Sequence, residues 1–315
     1  MSRLAVIGAL AALCAAGSGV GMSSATFTAR DASTGSITTA ADWVAPALTL
    51  TAPSDDSYGK STSVTVSGAA GNATGDSATV TVDLYSGSSA TGTPLRTLPV
   101  TRSATSWSTT LTSLAPGTYT VQATQSDSAG NTATSAANTF TVDTTAPTRV
   151  SIAAANGTGT AGHLDAGDTI TYTFSEPMLA SSILPGWSGA SDATVKVRFF
   201  KVTSSLDGFT VLDPSSAANV KLDAGTTTTP GVTLGSNANF VSGTVTFSAT
   251  VAQSADGRSF VVTLANPDAN ASRVNATPAN GANMTWTPKA GPTDLAGNAL
   301  AATTAYTETG SGRDF

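Results

Sequence analysis

Cysteine is almost missing from this chain: the single one, Cys14, lies inside an N-terminal apolar run. A chain processed beyond that run holds no disulfide, no thiolate metal site and no cysteine nucleophile. Histidine is as scarce. His163 alone would have to act as general base in any Ser-His-Asp arrangement, and it sits in Gly159-Thr-Ala-Gly-His163 with no nucleophile motif beside it. Zinc sites built from several histidines or cysteines are excluded. Charged residues make up only 11% of the chain, less than half of the roughly 25% usual in soluble proteins. Aromatics are 6% and the net charge is −6. The densest basic stretch, Lys196, Arg198 and Lys201, alternates along one strand-like run. Phosphate binding needs clustered positive charge, so nucleic acid is not expected as a partner.

What fills the chain instead is Thr, Ser, Gly, Ala and Val. Thr and Val suit a half-buried pleated backbone, while Gly with Asn and Asp suits turns. The expected fold class is all-β. The length of 315 residues corresponds to about two domains of ~150 residues.

Residues 1–25 read as a signal peptide. Arg3 supplies a short basic region, Leu4–Ala16 is apolar but too short for a comfortable membrane span, and small residues follow. Removing Arg3 would take the net charge from −6 to −7 (−6 − 1). Residues 26–46 read as a leader. Across 20–46, Ala25-Thr26-Phe27 and Thr38-Thr39-Ala40-Ala41-Asp42 resemble the start of the camelysin/TasA-like exported proteins. That resemblance implies export by a dedicated signal peptidase. Residues 26–45 are read as a flexible leader, the alternative being a donor strand that would let copies associate into filaments.

Residues 47–144 form the first expected domain. Alternating apolar and polar residues mark strands at 47–53, 63–68, 78–85, 95–101, 107–111, 118–125 and 139–143, separated by Gly, Pro and Asn. Such spacing suits a seven-strand sandwich. Leu114-Ala-Pro-Gly-Thr-Tyr119-Thr-Val121, then Ser126-Asp127-Ser128-Ala129-Gly130-Asn131, then Asp143-Thr-Thr-Ala-Pro147, resemble a bacterial immunoglobulin-like (Big-type) repeat. The resemblance implies an Ig-like β-sandwich in which the ring of Tyr119 fills a corner and its hydroxyl caps a backbone group.

Residues 145–308 form a longer second domain, followed by a tail, 309–315. Gly167-Asp168-Thr-Ile-Thr-Tyr-Thr-Phe-Ser-Glu176-Pro177 and Asp294-Leu-Ala-Gly-Asn298 resemble the Ig-like domain of S-layer and other surface proteins. Residues 204–240 look like an insertion relative to that pattern, offering either a binding surface or extra strands.

Carboxylates are the one set with chemical interest: 18 Asp and 2 Glu make up the 20 acidic residues. Short oxygen ligands in loops suit Ca²⁺. Asp127, Asn131 and Asp143 are expected at one end of the first domain, with Asp294 and Asn298 as their counterparts in the second. Asp55 and Asp56 would join them only if their turn faces that end. The plainer reading gives Asp127 and Asn131 to the turn itself, since a lone Asp-x-x-x-Asn is not an EF-hand loop. A glycosidase pair drawn from Asp165, Asp168 and Glu176 would need an aromatic-lined cleft, which the sequence does not offer. Among the four tryptophans, Trp107 is expected inside a sandwich, whereas Trp187, in Leu184-Pro-Gly-Trp187, is expected on an exposed loop as a sugar-stacking residue.

The function expected is that of a secreted or cell-surface structural or adhesion protein without catalysis and without a cofactor other than Ca²⁺. Its partners would be surface or matrix proteins, or polysaccharide. The alternatives are a carbohydrate-binding accessory module and a filament subunit.

Overall fold

In the first domain alternating segments pack into two facing sheets. The computed structural model describes residues 43–235, 238–276, 283–301, 304–309 and 315. The signal peptide expected at 1–25 therefore lies outside the described residues, as do the leader expected at 26–46 and the alternative donor strand at 26–45 as far as residue 42. Eight strands build the first domain: β1 (Ser57–Gly59), β2 (Val64–Ala69), β3 (Thr79–Ser86), β4 (Arg96–Thr101), β5 (Ser106–Leu111), β6 (Gly117–Ser126), β7 (Thr132–Thr134) and β8 (Asn138–Val142). One sheet runs β1-β8-β6-β3-β4, with β7 beside β6, and the other is β2-β5. Residues 49–52 add to the edge of β2 through Thr49 N–H to Ala69 O and Thr51 N–H to Ser67 O.

Alternation decides what goes inside. Val80, Val82 and Leu84 of β3 face Val66, Trp107 and Leu111 of the other sheet within one apolar core, as period-two patterning requires. Trp107 is buried as expected, its Nε1 donating to Ala69 O at 3.0 Å. Tyr119 stacks on Phe140, and its hydroxyl donates to Ala115 O at 2.9 Å, the corner role read from the sequence.

The second domain contains β9 (Arg149–Ala155), β10 (Thr169–Phe174), α1 (Ala180–Ile183), β11 (Ala193–Thr203), β12 (Leu206–Leu212), β13 (Val232–Thr233), β14 (Val245–Gln253), β15 (Ser259–Ala269), β16 (Thr285–Trp286) and β17 (Tyr306–Thr307). All nine strands belong to one sheet, ordered β17-β16-β13-β12-β11-β14-β15-β10-β9. The sheet folds back on itself, so β16 faces β10: Trp286 meets Tyr172 and Phe174 edge-on at 5.3 and 5.6 Å. Its two edges meet where Arg149 of β9 donates to Thr304 Oγ1 and Ala305 O beside β17.

Residues 204–240 supply extra strands rather than a loop. They hold β12 and β13, and Val220, Leu222, Leu234 and Phe240 lie in the same buried cluster as the rest of the domain. Phe315, assigned by the sequence to the tail, is fully buried and packs edge-on against Phe199, Phe209 and Phe240. Residues Trp43–Phe315 cluster as one compact unit, with both domains in contact.

Candidate metal centre at the domain junction

The sequence Asp-x-Ala-Gly-Asn occurs twice, and both copies fold the same way. Asp127 Oδ1 accepts the N–H of Ala129 (2.9 Å) and of Asn131 (2.8 Å), and its Oδ2 accepts Asn131 Nδ2 (2.7 Å). In the second copy Asp294 Oδ1 accepts the N–H of Asn298 and Oδ2 accepts Asn298 Nδ2, both at 2.8 Å. Gly130 (φ +93°) and Gly297 (φ +86°) occupy the left-handed position that each turn needs. The turn role is thus common to both.

Their surroundings differ. β6 and β8 are antiparallel, with Gly117 opposite Val142. Asp143 therefore lies beside the first residue of β6, whereas Asp127 follows its last. Ten strand residues separate these ends, roughly 30 Å at the usual rise. The expectation that Asp127, Asn131 and Asp143 share one end is thus corrected: a hairpin places its turn and its exit at opposite ends. Asp55 is also remote. Its Oδ1 accepts Thr139 N–H at the start of β8, away from Asp143.

Asp143 is met from the second domain instead. Asn298 Nδ2 donates to Asp143 O at 2.8 Å, and Lys60 Nζ of the first domain donates to Gly297 O at 3.1 Å. Glu176, not selected as a ligand from the sequence, completes the group. Along β10 the residues Ile170, Tyr172 and Phe174 point into the core, and the same parity carries Glu176 inward just past the strand end. Met178 bridges to Asp294, and Leu179 N–H donates to Thr293 O, which fixes the two segments side by side.

One carboxylate oxygen each from Asp143, Glu176 and Asp294 lies within 4.8 Å of the others. Asp294 is 2% exposed. Glu176 Oε1 is buried without a hydrogen-bond partner. Burial first, and then the charges of Asp143 and Asp294, push the Glu176 carboxyl up to about 7; Arg258 partly offsets this. Such a group holds either a proton or a cation, because like charges this close resist joint ionisation. The donors are all hard oxygens and include a buried acceptor with no partner. That set fits Ca²⁺, which takes six to eight oxygens from carboxylates, backbone and water. Asp143, Glu176 and Asp294 would bind the ion, with Asn298 holding Asp143 and Asp294 in place.

The remaining nominees have structural roles. Asp168 is fully buried, and its oxygens accept Gly157 N–H (2.9 Å) and Asp165 N–H (2.8 Å), clasping the loop between β9 and β10. Trp187 is not exposed: it is 7% accessible, rests against Phe260, and its Nε1 donates to Ser191 O at 2.6 Å. Packed in the apolar cluster of the domain, the indole is worth more buried than displayed. It therefore offers no sugar-stacking face.

Comparison with curated proteins finds no match. Similar solved structures include the fibronectin(III)-like modules of Clostridium thermocellum CbhA, at 14% identity and a TM-score of 0.25, covering 70% of this chain and 90% of that one. Dimeric latent PorU from Porphyromonas gingivalis is 15% identical with a TM-score of 0.26, covering 71% of this chain and 20% of that one. The titin domains Z1Z2 in complex with telethonin are 12% identical with a TM-score of 0.21, covering 84% and 93%. Within the chain, residues 71–144 match the sequence model of the bacterial Ig-like domain, the family that the motifs around Tyr119 and Asp127 resemble.

Proposed function

We propose that this is an exported structural or adhesion component of a bacterial surface, whose two β-domains are locked into one stalk by calcium at their junction. The observation that carries the reading is the convergence of Asp143, Glu176 and Asp294 from both sides of that junction. Without a cation the cluster must hold a proton on Glu176, and above about pH 7 its three carboxylates repel each other and loosen the contact; with a cation, the same charges hold it. A stalk that stiffens only where calcium is abundant suits a protein working outside the cell. The bacterial Ig-like match at residues 71–144 agrees with a mechanical, non-catalytic role. The surface-protein resemblance of Glu176-Pro177 and of the Asp294 loop points the same way.

Carbohydrate binding has less support. Trp107, Trp187 and Trp286 are buried, and the exposed large aromatics among the described residues are Trp43 and Tyr58. Surface labelling of intact cells tests the reading: the chain should take up a membrane-impermeant reagent without lysis. Labelling only after lysis would contradict it.

A further inference from the structure

A second constellation lies within the second domain, away from the junction. In the β11–β12 hairpin Lys201 stands opposite Asp207. Asp207 is fully buried. Its Oδ2 accepts Val241 N–H at 2.9 Å, while its Oδ1 accepts no other hydrogen bond and faces Lys201 Nζ at 3.0 Å. The lysine amine also donates to Asn239 Oδ1. Asn275 Nδ2 donates to that same oxygen at 3.1 Å and to the Asn239 backbone carbonyl at 2.6 Å. An amine thus rests on a carboxamide, with a buried carboxylate behind the amine and an amide donor on the carbonyl oxygen.

We propose that Lys201 and Asn239 condense into an intramolecular isopeptide bond, with Asp207 transferring the protons and Asn275 stabilising the oxyanion. The arrangement holds every part such a reaction needs. The hydrogen bond from Lys201 Nζ to Asn239 Oδ1 holds the amine beside the carboxamide it would attack, which replaces a bimolecular encounter. Asp207 takes a proton from the ammonium, freeing the Nζ lone pair to attack Asn239 Cγ. The C=O π pair moves to Oδ1, where Asn275 Nδ2 already donates. The bond from Cγ to Nδ2 then breaks. Of the three ammonium protons one stays on the new amide, and two leave with the carboxamide nitrogen, which departs as ammonium by way of Asp207. No oxidant or co-reactant is required.

Position gives the bond a use. Lys201 and Asn239 are 38 residues apart, and the closed loop contains β12 and β13. A covalent clip there would keep these strands from peeling away when the chain is pulled from its ends.

Intact and tryptic mass measurement of the full chain tests this. The wild-type protein should be lighter than its sequence by one ammonia, resist trypsin after Lys201, and yield a branched peptide joining Lys201 to Asn239. Lys201→Arg, which keeps the cation beside Asp207, and Asn239→Ala should each show the unmodified mass. Asn239→Asp should lose one water instead, since the same amine would then condense with a carboxyl group. An unmodified wild-type mass overturns the proposal. So does an ammonia loss that persists in Lys201→Arg, because it would mark a cyclised asparagine elsewhere.

Discussion

The same five-residue loop occurs at Asp127–Asn131 and at Asp294–Asn298, and the two copies differ less inside than outside. Their internal hydrogen bonds agree to within about a tenth of an ångström. Around the first loop Ser128, Ala129 and Gly130 are exposed. The second backs onto the exit of the first domain, and its aspartate is buried beside two further carboxylates. A local motif therefore dictates a turn, while topology alone decides whether that turn becomes part of a site. Antiparallel pairing sends the first loop to the far end of its sandwich, and the short Asp143–Pro147 connection brings the second to the junction.

Asp-to-Ala exchange in the two loops should break the symmetry most strongly. In calcium, Asp294→Ala is expected to cost about 3–4 kcal/mol in urea unfolding, combining a lost buried acceptor with lost metal linkage. Asp127→Ala should shift the midpoint far less. Equal losses would mean that the junction adds nothing to the turn.

The asparagines give a smaller contrast. Asn298→Ala removes the donor that ties Asp143 O to Asp294 and should cost about 1–2 kcal/mol, whereas Asn131→Ala disturbs only its own turn and should cost less. Chelator should reduce the Asn298 effect and leave that of Asn131 unchanged.

The smallest contrast is in pH, where the two ends titrate with opposite sign. Asp127 is held below its ordinary 3.8, chiefly by the Asn131 side chain. Its contribution is present above that value and fades as the pH falls through the folded pKa. Glu176 is raised from 4.5 to about 7, so without calcium the folded state binds the extra proton. Stability should therefore fall as pH rises between about 4.5 and 7. Because Asp223 is also raised, to about 6 by burial, the measurement is the difference between wild type and Glu176→Gln in chelator. Parallel curves for the two proteins would remove Glu176 from the account.

How much of this was legible follows from the length of each signal. The first domain announces itself because strands such as β3 and β6 alternate over eight and ten residues, long enough for period two to stand out. In the second domain β13, β16 and β17 have two residues each, too few for any periodicity. β12 is buried along almost its whole length and carries Asp207 and Thr210 inside, so polar residues disguised a core strand as a loop. Trp187 misled for the opposite reason, since Pro and Gly beside it mark a loop but not the direction of its side chain. Asp143, Asp294 and Asn298 were readable as oxygen donors. The separation of Asp127 from Asp143 was implicit in hairpin polarity, and Glu176 was implicit in the parity of β10.

Calcium dependence of thermal unfolding tests the central claim most directly, measured on wild type, Glu176→Gln and Asp127→Ala in calcium and in chelator. At about a hundredfold excess over Kd the ion should add about 2.7 kcal/mol to the wild type, raising Tm by several degrees. The rise should vanish in Glu176→Gln and persist in Asp127→Ala. An identical Tm for the wild type in calcium and in chelator would contradict the account.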